Sequence, residues 1–165
     1  MSRGFVKEGD QEEVPLVTAR AFLPVGVENF VTPEGFQELK DERESMISER
    51  RQYEGVDSAD ARVNANYITA KIKQIDERIF SARVTSFDSQ KQFEVAFGST
   101  VKFKNLRNNA VAQYRIVGVD EAAIIKGKIS FLSPLAKAIL NHKVGDVVNF
   151  ETPQGVMEIK IIEIS

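Results

Sequence analysis

The chain contains no cysteine, no tryptophan and a single histidine, His142. Without cysteine there are no disulfides and no thiolate metal sites, and a reducing compartment is permitted. One histidine builds neither a His-rich metal site nor a two-histidine relay. No apolar run approaches the roughly 18 to 20 residues of a membrane-spanning helix. The segment Met1 to Asp10 lacks an apolar stretch and turns acidic at once, so it does not read as an export signal. A net charge of −2 over 165 residues gives no bulk electrostatic reason to grip a nucleic acid backbone. Also missing are a glycine-rich phosphate loop and a nucleophile–histidine–carboxylate set. These absences predict a soluble, cytoplasmic protein with no catalytic residues, metal or cofactor of its own.

What is present begins with heptads. Ile68, Ile72, Ile75, Ile79 and Ala82 recur in steps of four and three, the spacing of a coiled-coil seam. Upstream, Leu39, Met46 and Tyr53 repeat every seven, with Phe36, Arg43 and Arg50 on the intermediate positions. Arginines on a seam require packed stems and heads that reach outward. Thr32 offers an N-cap, Pro33 suits the first helical position and Glu34 suits the positive end of the helix dipole. The spacing predicts helices from Pro33 to about Tyr53 and from about Asp60 to Val84. Between them lies the turn Gly55-Val56-Asp57-Ser58, so the two form one antiparallel hairpin over 32–84. A rod of this kind reaches into or bridges something else.

Residues 1–31 read as an extended arm, acidic up to Glu13 and then carrying Pro15 and Pro24. Two readings stand for it. Either it is a partly disordered tail, or Val14, Leu16, Val17, Phe22, Leu23 and Phe30 dock it on the body. After a polar stretch from Thr85 to Gln92 the pattern becomes β-rich. Strands are predicted over 95–97, 100–103, 111–117, 128–131, 147–151 and 156–164, with turns at Asn108-Asn109 and Pro153-Gln154-Gly155. Ser133 and Pro134 start a short helix that Leu135, Ile139 and Leu140 give an apolar face through Asn141. The fold class is therefore α+β, a helical hairpin followed by a small α+β domain over 93–165.

Two groups of residues stand out. Glu54, Asp57 and Asp60 gather carboxylates at the hairpin tip, where they can serve a partner's metal ion or simply cap helices and solvate a turn. Ser133, Pro134, Leu135, Ala136 and Lys137 form either an ordinary capped helix start or a contact surface, depending on which side chains face outward. Gly145-Asp146 reads as a tight turn. His142, at a helix exit, suits a capping or solvated role.

The ordered runs Phe97-Gly98-Ser99-Thr100-Val101, Ile116-Val117-Gly118-Val119-Asp120-Glu121-Ala122, Lys126-Gly127-Lys128-Ile129-Ser130, Ser133-Pro134-Leu135-Ala136-Lys137-Ala138, Val144-Gly145-Asp146-Val147-Val148 and Thr152-Pro153-Gln154-Gly155 closely resemble the GreA/GreB transcript-cleavage factors. The resemblance runs from about Val31 to Ser165. It implies an FKBP-like C-terminal domain at the rim of the secondary channel of bacterial RNA polymerase, with Ser133–Lys137 at or near the contact. It also implies a hairpin entering that channel, near nascent RNA. In the family the fingertip pattern D-x-x-E-N-A-x-Y helps the polymerase hold its catalytic Mg²⁺, an ion that belongs to the polymerase. Here the stretch reads Asp60-Ala61-Arg62-Val63-Asn64-Ala65-Asn66-Tyr67, with Val63 where the family carries Glu. Each arm is also shorter by about six to nine residues, roughly 10 Å of reach. The resemblance thus implies a polymerase-binding elongation factor, not an enzyme, whose stimulation of cleavage is weak or absent. The alternatives are a genuine cleavage factor and an FKBP-like interaction or chaperone module without polymerase.

Overall fold

The computed structural model describes residues 15–89 and 93–165. The expectations for Met1 to Asp10, for the acidic run to Glu13 and for Val14 lie outside them. Among the described residues the order is β1 (Asn29–Val31), α1 (Pro33–Arg51), α2 (Ala59–Ser81), β2 (Ala82–Val84), β3 (Thr100–Asn105), β4 (Val111–Val117), β5 (Lys128–Ser130), α3 (Pro134–Ile139), β6 (Val147–Thr152) and β7 (Gly155–Ile164).

Each helix starts on a hydroxyl. Thr32 Oγ1 accepts from Gly35 N at 2.9 Å, Ser58 Oγ from Ala61 N at 3.0 Å and Ser133 Oγ from Ala136 N at 3.2 Å. In each case the cap takes up an N–H that the first helical turn leaves without a partner. Helices α1 and α2 run 19 and 23 residues, about 28 and 35 Å at 1.5 Å per residue. Arg43 pairs with Asp76, and Arg50 donates to Thr69 at 2.9 Å. The partners descend one helix as they ascend the other, which makes the two helices antiparallel. Leu39, Met46, Ile68 and Ile75 are buried between them, with Phe36, Tyr53, Ile72 and Ile79 packed alongside. The heptad residues therefore form the seam, and the two seam arginines turn their heads out to polar partners.

The helix expected to reach Val84 ends at Ser81. Ala82–Val84 is extended and pairs in parallel with Asn29–Val31, Phe30 opposite Arg83. The end of the arm is thus a strand beside the base of the hairpin. Asn29 is buried, its side-chain amide donating to Arg78 O at 3.0 Å and Ser81 Oγ at 3.1 Å. Those bonds occupy acceptors at the end of α2 while Ala82 turns to extended backbone, with φ −63° and ψ 130°.

The second half is a five-stranded sheet in the order β5-β4-β3-β7-β6, antiparallel except for β4 with β5. Its core is Val95, Val101, Phe103, Ile116, Ile129, Ala136, Ile139, Val148, Ile159 and Ile161, with α3 packed over β6. The imperfect alternation along β7 has a local cause. The register against β3 slips between Lys102 and Phe103, so that Ile161 is buried while Ile162 is 40% exposed. The strand expected over 95–97 does not form. Only Glu94 makes an isolated bridge, to Lys143, while Val95 exchanges backbone hydrogen bonds with Asn141 and His142.

Candidate functional site

At the tip, α1 gives way to a turn in which Gly55 takes a φ of +76°, a left-handed conformation that glycine adopts without a Cβ clash. Ser58, not Asp57 or Asp60, caps α2. Asp60 lies exposed in the first turn, where the helix dipole favours a carboxylate. Glu54, in the turn just past α1, faces Arg50 of that helix at 3.6 Å. Among the described residues no three of His, Cys, Asp and Glu group so as to hold a metal ion, so Glu54, Asp57 and Asp60 form no ion site by themselves. Val63 is 64% exposed, one turn beyond Asp60 on the same helix face, with Tyr67 a further turn along. After Asp60 that face of the tip carries no carboxylate, only Val63, the exposed Asn64 and Tyr67.

The second group divides by exposure. Pro134 and Lys137 are exposed, Ser133 and Leu135 are half-buried, and Ala136 is fully buried. Leu135 packs against the sheet core. Pro134 and Lys137 are therefore the two side chains of this segment available to a partner. Nearby, His142 Nδ1 and Lys143 N both meet the Asp146 carboxylate, at 3.2 and 2.8 Å. The Lys143 amide first, and then His142, hold the Asp146 carboxyl below its ordinary range, which fits a turn-stabilising role.

Sequence reasoning missed a third group, where the hairpin base meets the sheet. Glu121 is buried, accepts from Thr32 Oγ1 at 2.6 Å and pairs with Lys128 Nζ at 3.2 Å. Lys128 also reaches Glu38 at 3.5 Å, and Arg115 meets Glu34 at 3.0 Å. Glu34 is held below its ordinary range, first by its own backbone N–H and then by the Arg115 charge. Beside them Asp120 receives Arg20 Nε at 2.8 Å and Arg78 Nε at 3.2 Å, while Arg20 forks onto Glu42 at 2.9 and 3.0 Å. Asp120 and Glu121 stand in a run that carries the resemblance, but Arg20 and Thr32 lie 100 and 89 residues away from them in sequence, beyond the reach of spacing arguments.

The known proteins most informative about this geometry are bacterial. A transcription elongation factor GreA from Amoebophilus asiaticus is 35% identical over 152 residues, covering 83% of this chain and 97% of its own. The chain belongs to the GreA/GreB family of transcription elongation factors. The family's C-terminal region, described as transcription elongation factor GreA/GreB, C-term, matches residues 90–165. GreA from Trichlorobacter lovleyi is 35% identical over 149 residues, covering 81% of this chain and 94% of its own. Among solved structures, GreA factor homolog 1 of Thermus thermophilus is 24% identical, covering 84% of this chain and 99% of that one, with a TM-score of 0.39. A GreA/GreB factor from Nitrosomonas europaea is 18% identical, covering 84% and 98%, with a TM-score of 0.42. Among the described residues no helix is long and apolar enough to cross a membrane.

Proposed function

We propose that this GreA/GreB-family factor works in the cytoplasm on bacterial RNA polymerase, docks through an FKBP-like domain over 93–165, and inserts its coiled-coil hairpin, 32–84, into the secondary channel near nascent RNA. There it modulates elongation with little or no stimulation of transcript cleavage. The observation that carries this reading is Val63, an exposed aliphatic side chain on the tip face where the family pattern has a carboxylate. A valine offers no oxygen to a hard cation such as Mg²⁺. The protein brings no metal, cofactor or catalytic residue; cleavage would be metal-assisted hydrolysis at an ion held by the polymerase. Asp60 supplies one ligand at most, and Arg62 adds positive charge beside it.

Length supports the same conclusion. The match to the Amoebophilus relative spans 152 aligned positions but only 83% of the 165 residues here, so the relative is longer within the matched region. A hairpin shorter by one or two turns per arm misses the metal by more than catalysis tolerates. Losing one preorganised group that stabilises a transition state costs about 2.7 to 4 kcal/mol, or about two to three powers of ten in rate. A stalled, backtracked elongation complex mixed with the purified protein tests the proposal. Binding without rapid release of short 3′ RNA fragments is expected. Rapid release that Asp60→Ala abolishes would overturn it.

A further inference from the structure

Four separate pieces of chain meet in one ion-pair network. Asp120, on the loop after β4, receives Arg20 from the N-terminal segment and Arg78 from α2, and Arg20 forks onto Glu42 of α1. The arginine and aspartate side chains are only 10 to 18% exposed. Arg78 also donates to Ala21 O. A short distance along the same segment, Phe30 meets Phe97 at 5.6 Å and Phe131 at 5.7 Å, and these two meet each other at 5.7 Å. At Gly118 the strap passes so close that a Cβ would sit 2.6 Å from Phe30 O. Polar and aromatic contacts therefore lie on both sides of β1, and both join the hairpin base to the sheet.

We infer that residues 20–31 are a buckle that fixes the angle at which the hairpin leaves the sheet, with Arg20 and Asp120 as its positioning residues. Two helices joined to a sheet through the stretch 85–99 can swing about that connection. A forked guanidinium held between Glu42 of the hairpin and Asp120 of the sheet opposes swinging, because the planar fork fits its acceptors in one orientation. Partial burial keeps the two Asp120 pairs from being screened as surface pairs are, while the Glu42 end of the fork, 40% exposed, is screened more. The inference rests on the proposed function for its purpose, since the angle of the rod decides where a tip inserted into a channel arrives. Arg20 precedes the stretch on which the family resemblance rests whereas Asp120 lies within it, so the shared motifs describe only one end of the buckle.

The isolated full-length protein provides the test. Amide exchange at Val31 and Thr85 reports opening of the β1–β2 ladder, where Thr85 N donates to Val31 O at 2.9 Å, and exchange in β3 and β7 reports global stability. Arg20→Ala, which removes all three charge-assisted hydrogen bonds of Arg20, is expected to lower protection at the first group by at least about tenfold, with β3 and β7 unchanged. Because the chain has no cysteine, Gln52→Cys and Gln154→Cys accept spin labels near the tip and on the β6–β7 turn. The parent should give one narrow label distance, and the Arg20→Ala/Asp120→Asn double variant a broadened or second one. Arg20→Lys, which keeps the charge without the fork, should fall between. Unchanged protection in Arg20→Ala, a fall shared equally by β3 and β7, or a double-variant distance identical to the parent's would overturn the inference. Neither readout involves polymerase, so a parent protein that fails to bind polymerase would count against the proposed function and leave the buckle standing.

Discussion

Glycine at two positions of the junction is a matter of space. A Cβ on Gly35 would lie 2.4 Å from the Glu121 carboxylate, and one on Gly118 2.6 Å from a backbone oxygen. A side chain can move aside more readily than a strand, so Gly118→Ala is expected to be the more damaging change. Overpacking of this kind costs about 1 to 3 kcal/mol, measurable as a lowered denaturation midpoint with an unchanged slope. Glu34 carries a pH signature. Its folded pKa is depressed from an ordinary value of about 4.5, so its contribution is full above that value and is lost as pH falls through the depressed one. Thermal denaturation against pH should therefore show a shallower acid limb in Glu34→Gln than in the parent. The effect is small and salt-sensitive, because the Glu34 side chain is 58% exposed.

Among the elements, the hairpin and α3 call for different experiments. Ile75 is fully buried in the helix seam, and Ile75→Ala should cost about 2 to 5 kcal/mol through lost burial and a residual cavity, read by chemical denaturation. In α3 the exposed pair Pro134 and Lys137 can be changed without touching the core, unlike Leu135 or Ala136. Pro134→Ala with Lys137→Glu should weaken polymerase binding by about tenfold if these are central contacts, with the thermal midpoint little changed. An unchanged affinity would move the docking surface elsewhere on the sheet. The elements were mostly legible because periodicity and caps are local signals. Ile68 to Ile79 announced α2, and Val111–Val117 was a strand at those same limits. Local signals failed where pairing decided the outcome. Ala82–Val84 continues a helical pattern yet becomes a strand because Asn29–Val31 lies beside it, and Val95 is buried by contacts with the end of α3 rather than by a ladder.

On the scale of the molecule, the tip was legible from its residues while the junction was not. Asp60 and Val63 sit three positions apart in one pattern, whereas Arg20, Glu42, Arg78 and Asp120 meet only after folding. This division suggests how activity can be separated from reach. Val63→Glu alone restores the pattern's second carboxylate but leaves the rod short, so it should raise fragment release from a backtracked complex only slightly. Adding seven residues to each helix keeps the seam in register, because the apolar repeat returns after a heptad, and extends the rod by about 10 Å. Insertion between Met46 and Tyr53 on α1 and between Ile68 and Ile75 on α2 leaves the buckle and the tip turn untouched. The lengthened chain with Val63 retained should bind without cleaving. The lengthened chain with Val63→Glu should cleave at least about two powers of ten faster than the parent, the scale of one preorganised group that stabilises a transition state. Equal rates for these two lengthened chains would mean that Val63 does not limit cleavage, and rates equal to the parent's as well would mean that reach does not limit it either.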